Sequence, residues 1–321
     1  MKKRILLLSL FIVALGSAFA QTATKDTAKV VPPTPFVSML GMAPGPLTIT
    51  PEPVKIGSIY ISGVASALAL AQTSVFPGDK PVQTDISNAQ IFIQKIDGVF
   101  QFFIEVGGYS LPALGAPYLR AGLATNTYYG LLPQGFIKIA PSSSFSIEVG
   151  KLPTLIGAEY TFSFENMNIQ RGLLWNQENA VNRGVQLNYT AGPLTLAVAY
   201  SDGLYSNNYN WILGSLTYAI NSTNTLAVIG GGSTSRSTIS TPVTPLYLNN
   251  EQIYNLIYTH TSGQWTVVPY LQYTSVPASP LLNTTQSAST FGAAVFVSYA
   301  IPKSNFTIPV RFEYINSTGS A

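Results

Sequence analysis

Few residues in this chain could carry out covalent chemistry. His260 is the only histidine, flanked by Thr259 and Thr261. A hydrolase would need it as a general base beside a nucleophile and an orienting acid. No carboxylate lies near it in sequence and no nucleophile motif surrounds it, so no catalytic residue is assigned and an enzyme is not expected. Glu159 and Glu165 are of the type used in glycoside cleavage or Ca²⁺ binding, but they lack clustered Asp and ligand spacing. Gly230-Gly231-Gly232 opens no helix and is no phosphate loop. With no cysteine to supply thiolates, no metal or cofactor is expected. What remains is a sparse set of charges of both signs: Glu105, Lys138, Glu148, Arg311 and Glu313, with Lys151 close by. Arg311 and Glu313 stand two apart and share one face of an extended chain.

The elements that carry these charges alternate with a period of two. Phe145, Ile147 and Val149 oppose Ser144, Ser146, Glu148 and Gly150. Val185, Leu187 and Tyr189 oppose Gly184, Gln186, Asn188 and Thr190, and Phe306 to Tyr314 splits in the same way. Thirteen such strands are expected, at 55–71, 85–95, 99–107, 133–140, 144–151, 183–190, 193–201, 211–220, 224–232, 251–259, 264–273, 289–300 and 305–315. No stretch carries a helical stripe. Most of the strands are near the ~9–11 residues that a tilted strand needs to cross a bilayer. Short turns, such as Ile96-Asp97-Gly98 and Ala191-Gly192, alternate without exception with longer connections at 72–84, 108–132, 152–182, 202–210, 233–250 and 274–288.

Sorting of this kind marks a transmembrane antiparallel up-and-down β-barrel, with tight turns on the periplasmic side and long loops outside. A soluble sandwich has no reason to sort its loops, and it would need polar outer faces. Lipid offers the backbone no partners, so a strand architecture must close on itself. Tyr189, Tyr200, Tyr218, Tyr258, Tyr273, Tyr299 and Tyr314 fall near strand ends, where an aromatic girdle would stand.

Composition agrees. Only 9% of residues are charged, against about 25% in soluble domains, while 12% are aromatic, too many for a disordered chain. Lys2-Lys3-Arg4, the apolar run from Ile5 to Leu15 and Ser17-Ala18-Phe19-Ala20 read as a signal peptide over 1–20. Without it, acidic and basic residues balance, which leaves no basic surface for nucleic acid. Residues 21–53, rich in Pro, are expected as a periplasmic segment or linker that could also plug a pore, and 54–321 as the barrel. Single-chain bacterial barrels close with an even strand number. Thirteen strands and the loop-like ending Asn316 to Ala321 therefore suggest a C-terminally truncated chain whose intact barrel has about 14–16 strands.

The stretch Ser146-Ile147-Glu148-Val149-Gly150-Lys151-Leu152-Pro153-Thr154-Leu155-Ile156-Gly157-Ala158-Glu159 resembles a recurring feature of the OmpL-like β-barrel porin family: a strand ending in Gly and a basic residue, then Gly-x-Glu. Asn166, Asn168, Arg171-Gly172-Leu173-Leu174, Arg183-Gly184-Val185 and Val310-Arg311-Phe312-Glu313-Tyr314 look like the continuing pattern, with Ala158 where an aromatic is usual. The resemblance implies passive diffusion of small hydrophilic solutes or ions through the outer membrane. On that reading Glu105, Lys138, Glu148, Arg311 and Glu313 line the pore, with Lys151 at its mouth. Alternatively, these charges pair across neighbouring strands and steady the wall. The longest connection, 152–182, is expected to fold inward and narrow the channel, bringing Glu159, Glu165, Arg171, Trp175 and Glu178, with Arg183 beyond it. A surface loop is the alternative. The expected partners are outer-membrane lipid and the solute, with a homo-oligomer left open. The rival function is a closed structural or adhesive barrel that binds partners through its outer loops.

Overall fold

The structure, a computed structural model, describes residues 48–49, 54–56 and 58–318. The expected signal peptide and residues 21–47 lie outside the described residues. Two short strands come first, β1 (Thr48–Ile49) and β2 (Val54–Ile56). Thirteen longer ones follow: β3 (Ile59–Ala71), β4 (Val82–Lys95), β5 (Phe100–Tyr109), β6 (Gln134–Ile139), β7 (Phe145–Pro153), β8 (Val181–Ala191), β9 (Leu194–Ser201), β10 (Trp211–Asn221), β11 (Asn224–Ser233), β12 (Gln252–Ser262), β13 (Trp265–Val276), β14 (Ala288–Ala300) and β15 (Thr307–Thr318). From β3 onward each strand pairs antiparallel with the next, giving one up-and-down sheet.

The thirteen expected strands correspond one to one with β3–β15. The first is divided, however. Residues 55–71 do not run as one strand, because β2 folds back on β3 with Lys55 opposite Tyr60, while Thr48 of β1 lies opposite Ser66. Gly57-Ser58 between them is of turn-forming type. β1 and β2 thus act as one interrupted strand, the fourteenth of the sheet. Among the described residues, no ladder joins β15 to β1 or β2.

Side chains sort by the pleat. In β4, Asn88, Gln90, Phe92 and Gln94 are buried while Ile91 is exposed, and in β12 Ile253, Asn255 and Ile257 are buried while Tyr254 and Leu256 are exposed. The outward face is a band of exposed Ile, Val, Leu and Phe, including Ile137, Val149, Leu187, Ile212, Val228 and Phe312. An apolar surface of this extent is incompatible with water and fits lipid. No described helix is long and apolar enough to cross a membrane. The one α-helix among the described residues, α1 (Ala121–Thr127), is too short to show a stripe in sequence. It docks on β5 through Thr125 Oγ1, which accepts the Tyr109 N–H at 3.0 Å. Short and long connections alternate as expected, and all the long ones leave from one end of the strands.

Candidate functional site

Residues 154–180, between β7 and β8, are largely buried against the inward face of the sheet. On one side Leu155, Ile156 and Leu174 join the inward Ile229, Ile253 and Phe296 in a single apolar cluster. On the other, Phe162 and Phe164 cluster with Phe92, Phe103 and Phe136, with the Phe92 and Phe164 ring centroids 5.9 Å apart. β4 lies near the start of the strand order and β15 at its end, yet the segment touches both. The sheet is therefore curled around it.

Polar bonds fix the segment at two places. At β15, Arg311 Nη1 donates to Glu159 Oε1 at 2.9 Å and to the Gln170 carbonyl at 2.7 Å, and its Nε lies 3.2 Å from Glu313 Oε2. Glu313 also accepts the Leu173 N–H at 2.9 Å, and Glu159 accepts the Gly172 N–H at 2.7 Å. Gly172 makes this approach possible: a Cβ there would lie 1.9 Å from Glu313 Oε1. At β12 and β13, Tyr270 donates to Glu178 Oε1 at 2.7 Å, Gln272 Nε2 donates to the Leu174 carbonyl at 3.1 Å, and Asn255 Oδ1 accepts the Gly157 N–H at 3.1 Å. Gly157, at φ +88°, leaves room for Glu178, whose Oε2 would lie 1.8 Å from a Cβ there.

Burial governs the charges of this segment. Loss of water pushes the Glu178 carboxyl up to about 8, against the opposing bond from Tyr270. It raises Glu165 to about 7, although the Phe162 N–H and Arg171 favour the anion. Glu159 is also raised by burial, with Arg311 pulling the other way. Arg171, fully buried, is lowered to about 10 by desolvation. Its Nη1 donates to the Thr161 carbonyl at 2.7 Å, its guanidinium carbon sits 4.8 Å from the centre of the Trp175 ring, and its backbone bridges Ala113 of the 110–133 connection.

The remaining expected residues fall into two groups. Glu105, Lys138 and Glu148 point inward: Glu105 Oε1 accepts from Gln90 Nε2 at 2.7 Å, and Lys138 and Glu148, opposite each other on β6 and β7, form an ion pair at 3.1 Å. Lys151 and Arg183 stand instead on the outward face, opposite one another on β7 and β8. The cause is parity, since Lys151 is three residues from the inward Glu148 and Arg183 is three from the inward Gln186. Sequence does not mark Asn255, Tyr270 and Gln272. Their only signal was a polar side chain at an inward position of an otherwise apolar row. His260 stands at the short-turn end with Nδ1 2.8 Å from Asn224 Oδ1.

The chain matches the family described as "Putative beta-barrel porin-2, OmpL-like" over residues 58–321. Solved structures similar to it include Pseudomonas aeruginosa OccK8 (OprE), at 11% identity and a TM-score of 0.42, covering 86% of this chain and 70% of that one. A mutant of Rh. blastica porin gives 11% identity and 0.35 over 83% and 89%. Acinetobacter baumannii OccAB1 gives 11% and 0.37 over 84% and 62%. No curated protein matches.

Proposed function

Because this chain belongs to the OmpL-like family of β-barrel porins, and is thus an outer-membrane porin, we propose that its passage is set by residues 154–180. Family and fold point to a channel rather than an enzyme. Small hydrophilic solutes or ions diffuse through the lumen, past a partition made by this segment and the inward face of β12–β15. The observation that carries this reading is the bonding of one segment to Arg311 and Glu313 on one flank and to Tyr270 and Gln272 on the next.

The charges around it occur as partners: Arg311 with Glu159 and Glu313, and Lys138 with Glu148. Lys138 balances Glu148 and Arg311 offsets one of its two glutamates, so the net field left is small and selection by size outweighs selection by charge. Single-channel recording in a planar bilayer tests this. Deleting 160–178 raises the conductance of the full chain several-fold; an unchanged conductance rejects the segment as the constriction.

A further inference from the structure

The outward wall carries a cleft of about 420 Å³ between β6, β7 and β8, at the long-connection end of the strands. Val149, Val185, Leu132, Tyr209, Lys151 and Arg183 line it. Lys151 and Arg183 are direct cross-strand partners, an arrangement of like charges that costs stability unless it is compensated. Compensation is incomplete. Arg183 Nε pairs with Asp202 Oδ2 at 2.8 Å, and its guanidinium carbon lies 4.0 Å from the centre of the Tyr205 ring. Lys151 Nζ finds only carbonyls, Leu132 O at 2.8 Å and Tyr129 O at 3.4 Å, with the Tyr205 ring centre 5.4 Å away. No carboxylate pairs with it among the described residues. The cluster therefore keeps one positive charge.

Its surroundings pass from the lipid-facing band to the long connections. Toward the short-turn end the same face continues through Ile137, Val149 and Val185 to Ile147 and Leu187, all part of the lipid-facing band. Toward the other end lie the long connections, where exposed Leu131, Leu132 and Tyr209 stand beside the polar Asn207. An uncompensated cation at that boundary, beside a cleft lined by Val149 and Val185, has the charge and the apolar lining complementary to a lipid whose headgroup bears a phosphate.

We propose that this cleft seats an anionic lipid, with its phosphate on Lys151 and Arg183 and an acyl chain along Val149 and Val185. The site is outside the lumen, so its failure leaves the passage reading intact.

Native mass spectrometry of the full chain, released from detergent with phosphatidylglycerol or phosphatidylcholine, tests the proposal. Phosphatidylglycerol is expected to be retained several-fold more than phosphatidylcholine. Lys151→Gln removes that preference, Lys151→Arg keeps it, and Lys95→Gln, at the short-turn end, keeps it too. The heat-dependent gel shift of each variant reports its folding. Equal retention of the two lipids, an unchanged preference in Lys151→Gln, or loss in Lys151→Arg equal to that in Lys151→Gln overturns the proposal. So does displacement of the lipid by millimolar inorganic phosphate, which would make the site one for soluble anions.

Discussion

Arg311 holds together groups that would otherwise repel. Glu159 and Glu313 are both nearly buried, and the guanidinium between them is within ion-pair distance of each. Removing one partner of a buried pair costs about 3–5 kcal/mol, because the charges left behind stay desolvated. Arg311→Gln is therefore expected to release residues 159–174 from β15 and expose two carboxylates to the lumen. Conductance should rise and the reversal potential in a salt gradient should shift toward cations. Gly172→Ala acts at the same contact by placing a methyl group where Glu313 Oε1 now lies, and should raise conductance in the same direction. At this scale the sequence was legible where charge and spacing coincide: Arg311 and Glu313, two apart, do share the inward face. Asn255, Tyr270 and Gln272 were not, because a neutral polar residue on a lumen face looks the same whether it meets water or a docked segment. Charge alone points Lys151 and Arg183 to the passage, whereas strand parity turns both outward.

For the connection 154–180, length and mixed polarity were the readable signals, while the direction in which it folds depends on contacts far apart in sequence, such as Gly157 with Asn255. Its attachment should depend on pH. A carboxyl raised to about 8, like that of Glu178, binds its proton more tightly when docked than when released into water. The docked state thus loses relative stability as pH climbs from the ordinary carboxylate range through about 8, and Glu165, raised to about 7, adds in the same sense at lower pH. Between pH 6 and pH 9 conductance should rise, and protease should cut within 160–178 more readily. In Glu178→Gln the part of the rise that continues from pH 7 and levels off near pH 8 disappears. A conductance that falls over this interval would contradict the assigned sign. The division of residues 55–71 into β2 and β3 was also hidden, since the apolar run reads through a turn that only pairing with β3 reveals.

The whole molecule inverts the usual order, with its continuous apolar surface outside and much of its polar bonding within. This was the most legible level, because the two alternations, of residues along strands and of connection lengths between them, each constrain the architecture without long-range contacts. Aromatic side chains mark both rims: Tyr189, Tyr218 and Trp265 toward the short turns, and Tyr200, Tyr254 and Tyr273 toward the long connections. A cation placed between the rims should be penalised by about 2–4 kcal/mol. Leu256→Arg, on the outward face of β12, should lower the unfolding free energy in lipid vesicles by that amount when measured by denaturant titration. A polar change at the inward Thr266 should leave it nearly unaltered.

The docked segment touches strands from both ends of a sheet whose outermost strands share no ladder among the described residues. It therefore acts as a spoke as well as a filter: calibre and circumference are coupled, and shortening it should slacken the hoop. A deletion variant that conducts more should also lose its folded mobility in detergent at a lower temperature than the parent.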